Sequence, residues 1–414
     1  LYGLEHADQP VMAEEIIRYE GEPVAIVAAD HPEIVRRALN AIQVEYEEMT
    51  PLTDPELAEE TDFIHPDGNL IRRINLRHGD QEVQGEIQVE GIYEVGMQDQ
   101  AFLGLESGLA VPGEDGGVDL YISTQWLHAD RSQVASCLGL EEERVRITLA
   151  GVGGAFGARE DLSLHVHLCM LAMRTNRAVK MIYSREESFH GHVHRHPAKM
   201  WYRHHADSKG NLLRVEAKVL LDGGAYASSS GAVIANATCF AAGPYRIPSA
   251  DIEGVVVRTN NPPCGAMRGF GAVQTCVGHE AQMDKLASAL NMDPVEIRIK
   301  NALKPGDKLL TGQTITGTAP VAEVIQTCAE HTSTYQESTD PMSLPGGAGR
   351  TADPEHISRG EAIAVGFKNL MFSEGFDDFS SALCQLENGV ATITCACAEV
   401  GQGFVTLAQQ ITRE

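Results

Sequence analysis

Residues Val145 to Leu149 form an apolar, β-prone run that feeds straight into a loop with four glycines in positions 151–157. An amphipathic stretch opens immediately behind the loop, and Glu160 stands just past it. Strand, glycine loop and helix start read as α/β structure. Glycine tolerates positive φ and lets the atoms of another molecule approach the backbone closely. A helix start placed there offers free N–H groups to an oxygen-rich ligand. Taken alone, the same pattern also describes a tight turn.

The flanking sequence repeats this alternation. Residues 1–75 read as a small α/β unit. Pro23 to Ala29 is expected as a short buried strand and Pro32 to Ile42 as a helix, with Asp30 or His31 before its first-turn proline. Gln43 to Tyr46 then returns as a strand, and the polar stretch 51–68 closes the unit. A larger α/β region follows, with strands expected at 145–149, 178–183, 213–221 and 252–257. Its helices are expected at 133–138, 161–173 and 274–290, and Asp293-Pro294 opens another as N-cap and first residue. Residues 332–359, rich in Ser, Thr, Pro and Gly, read as a connector. The region 360–414 carries strands expected at 362–366 and 390–396, then Gly401-Gln402-Gly403 and a last helix from Val405 to Arg413. At 414 residues the chain is expected to hold two or three domains.

Composition narrows the function classes. A net charge of −26 argues against a nucleic-acid partner, whose phosphates demand a basic surface, and describes a solvated acidic one. No apolar run approaches the length of a membrane span. The nine cysteines form no CxxC pair, and their scatter through apolar runs reads as reduced, buried thiols of a cytoplasmic protein. They have no iron–sulfur spacing, so any such cluster belongs to another chain. The start at Leu1 and the stop inside a helix make both ends look cut.

Two further clusters share the character of the first loop: Cys264-Gly265-Ala266-Met267-Arg268-Gly269-Phe270-Gly271 and Glu399-Val400-Gly401-Gln402-Gly403. Each joins an extended segment to a helix. Arg268 brings a five-donor fork suited to phosphate, and Gln402 both donates and accepts. Three such loops suggest convergence on one large, anionic, many-armed ligand. The histidines at 190, 192, 194 and 196 would share one face of a strand, but their spacing is not that of a zinc site.

The chain resembles the molybdenum-cofactor subunit of the xanthine dehydrogenase and aldehyde oxidase family. The stretches that carry the likeness are Thr124-Gln125-Trp126, loop 151–160, Arg195-His196-Pro197, Tyr245-Arg246-Ile247-Pro248, Arg258-Thr259-Asn260, Arg268-Gly269-Phe270-Gly271, the run 300–307 and Gly401-Gln402-Gly403. The resemblance implies an α+β fold: a partial hammerhead domain over 1–75, a first molybdenum-cofactor-binding domain over 76–331, and the start of a second over 360–414. It also implies a molybdenum–molybdopterin cofactor, in a simple or cytosine dinucleotide form, held through its pterin with no direct protein ligand to the metal. Gln125 and the backbone of Ala155, Phe156 and Gly157 would reach the molybdenum centre. Arg268 would lie on the dithiolene side, and Gly401 and Gln402 on the pterin and its phosphate tail. Phe270 would stack on the substrate, which Glu160 faces as a hydrogen-bonding carboxyl.

The implied reaction is oxidative hydroxylation of a purine or similar N-heterocycle at a carbon beside a ring nitrogen, with oxygen from water. Electrons would leave through 2Fe-2S and FAD subunits, in a homodimer of heteromers. Two departures stand out. Asn236 occupies the place where xanthine-specific members carry a substrate-binding arginine, so the substrate contact there is uncharged. The family's general-base glutamate falls beyond residue 414, which would leave these residues alone inactive. Two alternatives stay open: a split or non-catalytic half-subunit completing a cofactor cleft with another chain, and a nicotinamide enzyme using Gly151, Gly153 and Gly157 as a dinucleotide loop.

Overall fold

A computed structural model describes residues 1–59, 61, 64–331, 360–370 and 380–414. The expected connector 332–359 falls outside them. Two mixed sheets, each with helices on one face, give the α+β architecture.

The larger sheet contains β1 (Leu70–His78), β2 (Ile87–Val95), β7 (Ala198–Ala206), β8 (Leu212–Asp222) and β9 (Ser249–Val257), in the order β1-β9-β8-β7-β2. Only β8 and β9 run parallel. Along β2, half-buried residues alternate with exposed ones, as expected of a strand with one covered face. The cover is α5 (Ser230–Cys239) and α6 (Ala272–Leu290), whose Ile234, Met283 and Leu286 interleave with Met200, Tyr202, Val219 and Ile252. Gly278 lets α6 sit close on β7, since a β-carbon there would lie 2.3 Å from the Tyr202 ring. The opposite face carries cross-strand ion pairs such as Arg203–Glu90 at 2.8 Å. Each is worth about 0–1 kcal/mol at such exposure.

The smaller sheet holds β3 (Ser107–Pro112), β4 (Val118–Ile122), β5 (Val145–Leu149) and β6 (Val179–Ile182), in the order β5-β4-β3-β6. Its single parallel pair is β4 with β5. Helices α2 (Leu127–Leu138) and α3 (His165–Thr175) close its core around Leu120, Ile122, Val134, Leu164 and Leu168. From β6 the chain passes through α4 (Arg185–Gly191), which opens with a Ser184/Glu187 capping box, into β7.

Outside the sheets lie α1 (Pro32–Leu39), α7 (Pro294–Asn301), α8 (Val321–Glu330), the hairpin of β10 (Ala382–Glu387) and β11 (Val390–Cys395), and α9 (Phe404–Arg413). Asp293 caps α7 through the N–H groups of Val295 and Glu296, with Pro294 at the first position.

Several expectations need correction. Residues 23–29 and 43–46 carry no regular secondary structure and belong to no ladder among the described residues, and Val24 and Val44 are exposed. Residues 362–366 carry no regular secondary structure and likewise join no ladder among the described residues. Helix α3 starts at His165 rather than 161, because 161–164 are spent in the turn below the glycine loop. Residue 75 falls inside β1, which pairs along its length with β9. His190 lies in the last turn of α4 while His192, His194 and His196 lie in the segment behind it, so the four share no strand face. Only Cys169 and Cys264 of the nine cysteines are buried, and Cys328, Cys384 and Cys397 are exposed.

Candidate active site

The site begins where the parallel pair β4 and β5 ends. In α/β structure, the loops at the carboxyl ends of parallel strands are the usual ligand positions. The loop after β4, Ser123 to Trp126, is laced to the glycine loop after β5. Ala150 donates to the Ile122 carbonyl at 2.8 Å, Ser123 Oγ to the Gly151 carbonyl at 3.1 Å, and Gln125 N–H to the Arg159 carbonyl at 2.9 Å. Arg159 braces the loop from below. Its Nε donates to the Gly154 carbonyl at 3.1 Å, and its guanidinium lies 4.3 Å from the centre of the Phe102 ring.

The other two glycine clusters dock on this platform. Arg268 N–H donates to the Phe156 carbonyl at 2.8 Å, and Gly154 N–H to the Val400 carbonyl at 3.1 Å. Gly157 has φ +105, and a β-carbon there would lie 2.7 Å from the Ala266 carbonyl oxygen. Arg195, from the Arg-His-Pro stretch, bonds the Arg268 carbonyl at 2.9 Å and Gln98 Oε1 at 2.9 Å.

The junction encloses a cavity of about 830 Å³. Gln125, Ala155, Phe156, Gly157 and Glu160 line it from the first platform, Arg268 and Phe270 from the second cluster, and Gly401 and Gln402 from the third. Asn236, buried on α5, completes the lining of expected residues, so every candidate named from sequence reaches one space. Trp126, Ala232 and Met267 line it too and sit beside those motifs. Lys368 and Leu370 do so from segment 360–370, which carries no motif that sequence reading could have used.

The wall chemistry fits a large ligand rich in acceptors. The Gln125 Oε1 is buried without a hydrogen-bond partner. The N–H groups of Ala155, Phe156 and Gly157 have no acceptor among the described residues. Phe156 has φ +53, so its N–H and that of Gly157 lie in a turn of the kind that cradles anions. Arg268 reaches solvent with no ion pair among the described residues. Burial, reinforced by the neighbouring Asp161, pushes the Glu160 carboxyl up to about 8, so it holds its proton at neutral pH. Gln402, by contrast, closes on its own turn: its Nε2 donates to the Ala398 carbonyl at 2.8 Å and its Oε1 accepts from Val400 N–H at 2.7 Å. Contact with a ligand requires that side chain to turn out.

Behind the platform, His192 is buried between Asp99 at 3.1 Å and Glu106 at 3.0 Å, stacked on His194. Burial opposes its charge, but the two carboxylates outweigh burial and raise it to about 9. Among the described residues, no cluster of three or more His, Cys, Asp or Glu could hold a metal ion. No described helix is long and apolar enough to cross a membrane.

Comparison with known proteins agrees with this architecture. The family model for the molybdopterin cofactor-binding domain matches residues 64–302, and that for the a/b hammerhead domain of aldehyde oxidase and xanthine dehydrogenase matches residues 2–50. The chain therefore belongs to the xanthine dehydrogenase and aldehyde oxidase family of molybdopterin-binding proteins. Within it, the chain is 39% identical to the nicotinate dehydrogenase large molybdopterin subunit of Eubacterium barkeri, over 80% of this chain and 79% of that one. It is 34% identical to a probable xanthine dehydrogenase subunit of Bacillus subtilis, along all of this chain and 54% of that one. It thus spans about half of the latter's length. Aldehyde oxidoreductase from Desulfovibrio gigas superposes with a TM-score of 0.75 at 27% identity, over 78% of this chain and 36% of that one. Quinoline 2-oxidoreductase from Pseudomonas putida 86 superposes at 0.72 and 26%, over 78% and 43%.

Proposed function

We propose that this chain forms the cofactor and substrate cleft of a cytoplasmic molybdenum hydroxylase acting on a purine or similar N-heterocycle. The observation that carries this reading is the convergence of Gln125, the Ala155–Gly157 amides, Glu160, Arg268 and Phe270 on one cavity. A molybdenum–pterin group, when bound, supplies the two-electron oxidation that the side chains themselves lack. The unpartnered Gln125 amide and the free amides of 155–157 hold its metal end, and Arg268 and the Gly401–Gln402 turn hold the pterin and its phosphate, in the simple or cytosine dinucleotide form.

The remaining work belongs to the substrate side. Phe270 offers a ring face for stacking. Glu160, protonated at neutral pH, donates a hydrogen bond to a ring nitrogen of the substrate, and Asn236 supplies an uncharged amide across from it. Holding the ring against the cofactor turns an encounter into a fixed geometry. In this reading the general base comes from outside these residues. The electrons leave through 2Fe-2S and FAD subunits, and the complex assembles as a homodimer of such heteromers.

The split-subunit reading remains the alternative, and the 79% length match to a protein named a large molybdopterin subunit favours it over a non-catalytic one. The nicotinamide reading loses its footing, since a doubly wound parallel sheet is required and β4–β5 is the only parallel pair beside the loop among the described residues. Turnover of an N-heterocycle in heavy-oxygen water, by the native complex, tests the proposal. Label in the hydroxylated product is expected, and label absent from the product overturns it.

A further inference from the structure

The first turn of α5 is capped from far away in the sequence. A serine stands at its N-cap, Ser229, where a side-chain oxygen ordinarily accepts from the second or third N–H of the helix. Its Oγ is buried and takes no partner among the described residues. Glu5, 226 residues before Gly231, takes that role: Oε2 accepts from Gly231 N–H at 3.0 Å and Oε1 from Ala232 N–H at 2.8 Å. A carboxylate at a helix N-terminus also complements the helix dipole. Burial raises the Glu5 carboxyl, while the two amides and the Arg72 charge favour its ionised form. The contact needs glycine at 231, since a β-carbon there would lie 2.3 Å from Glu5 Oε2.

The turn that leads into α5 is held by the same N-terminal segment. Glu5 N–H donates to the Ser228 carbonyl at 3.4 Å, and Asp8 accepts from Ala227 N–H at 3.0 Å. Ser228 has φ +44, a conformation that persists only where surrounding contacts impose it. Its Oγ donates at 2.8 Å to Asp161, which follows Glu160 in the chain. Beyond the turn, α5 brings Ala232 and Asn236 to the cavity wall. The helix rests on the loop that carries Phe270, where a β-carbon on Gly271 would lie 2.3 Å from the Val233 carbonyl oxygen. Glu5 therefore fixes the end of a helix whose first two turns line the cavity.

We infer that Glu5 is a positioning residue for the substrate side of the cleft, its carboxylate setting where α5 places Asn236 relative to Glu160 and Phe270. This rests on the function proposed above. The test uses the native complex and follows hydrogen exchange over residues 229–240, molybdenum content, and kinetics on whichever of hypoxanthine, xanthine and quinoline the wild type turns over. Glu5→Ala should speed exchange at Gly231 and Ala232. It should also raise KM about tenfold, the size of one charge-assisted hydrogen bond, with kcat changed less than about twofold. Molybdenum content should stay at the wild-type level, because the cofactor contacts lie on other loops. Gly231→Ala displaces the carboxylate from the opposite side and should reproduce both effects, and the double variant should add little to either. Glu5→Gln keeps one acceptor oxygen and should recover part of the lost KM. Unchanged exchange in Glu5→Ala, or faster exchange with unchanged KM, overturns the inference. So does a kcat and molybdenum content that fall together with the rise in KM, the mark of general damage. A wild-type complex that contains molybdenum and turns over none of the three heterocycles overturns the underlying function and this inference with it.

Discussion

The carbonyl of Phe156 accepts the backbone N–H of Arg268 at 2.8 Å, joining two glycine loops that are distant in the chain. Neither side chain takes part in that bond, so Phe156 and Arg268 both remain at the cavity wall. The loops are held by backbone, and the side chains are left for a ligand.

That arrangement makes Gly157 irreplaceable. Its φ of +105 and the Ala266 carbonyl 2.7 Å from a would-be β-carbon both penalise any side chain. Gly157→Ala should destabilise the protein by about 1–3 kcal/mol and shift the amides of 155–157. Thermal melting checks the first effect, and molybdenum content of the purified complex, expected to fall, checks the second.

Gln125→Ala should behave in the opposite way. The Gln125 Oε1 is buried and unpartnered, so its removal should change stability by less than about 1 kcal/mol. Cofactor retention should nevertheless fall about tenfold or more. Urea unfolding and molybdenum assay of the same preparations separate the two effects.

Glu160→Leu should reduce kcat/KM for N-heterocycles far more than for simple aldehydes, because only the former present a ring nitrogen to the carboxyl O–H, whereas Glu160→Gln keeps a neutral donor there and should lose less. Equal losses on both substrate classes would remove Glu160 from the substrate contact. The same group predicts a pH dependence. Its carboxyl is raised from 4.5 to about 8, so its contribution to stability is full below pH 4.5 and is lost as the pH rises through about 8. The Glu160→Gln protein should lack that component when unfolding is followed from pH 4 to 9.

His192 gives a second pH signature. With its pKa raised from 6.5 to about 9, its ion pairs with Asp99 and Glu106 contribute fully below pH 6.5 and fade as the pH rises through about 9. His192→Gln leaves buried Glu106 and half-buried Asp99 without a counter-charge and should cost about 3–5 kcal/mol at pH 7. Chemical unfolding at pH 6 and pH 9.5 should show the variant's deficit shrinking at the higher pH.

The parts of the site legible in the sequence are those where backbone geometry demands a particular residue. Gly154, Gly157, Gly269, Gly271, Gly401 and Gly403 all adopt positive φ, and each marks a sharp turn that brings a loop to the cavity. Strand expectations held at 145–149, where a parallel partner exists, and failed at 23–29 and 43–46, where no described strand lies alongside. Apolar content fits a strand only when a neighbour completes the ladder. The start of α3 is not legible, because Asp161 accepts from Ser228 Oγ at 2.8 Å in place of capping a helix there. Lys368 is illegible for another reason: its segment reaches the cavity by packing on α6, where Val365 N–H donates to Glu280 at 3.0 Å, and on Phe240 through the Phe367 ring, and neither contact leaves a local pattern.

The most direct test of the central claim is the molybdenum content of the native complex, isolated from its own host with its partner subunits and measured by elemental mass spectrometry. A near-stoichiometric amount of molybdenum per chain is the predicted result. A complex that retains its subunits but contains no molybdenum would contradict the account.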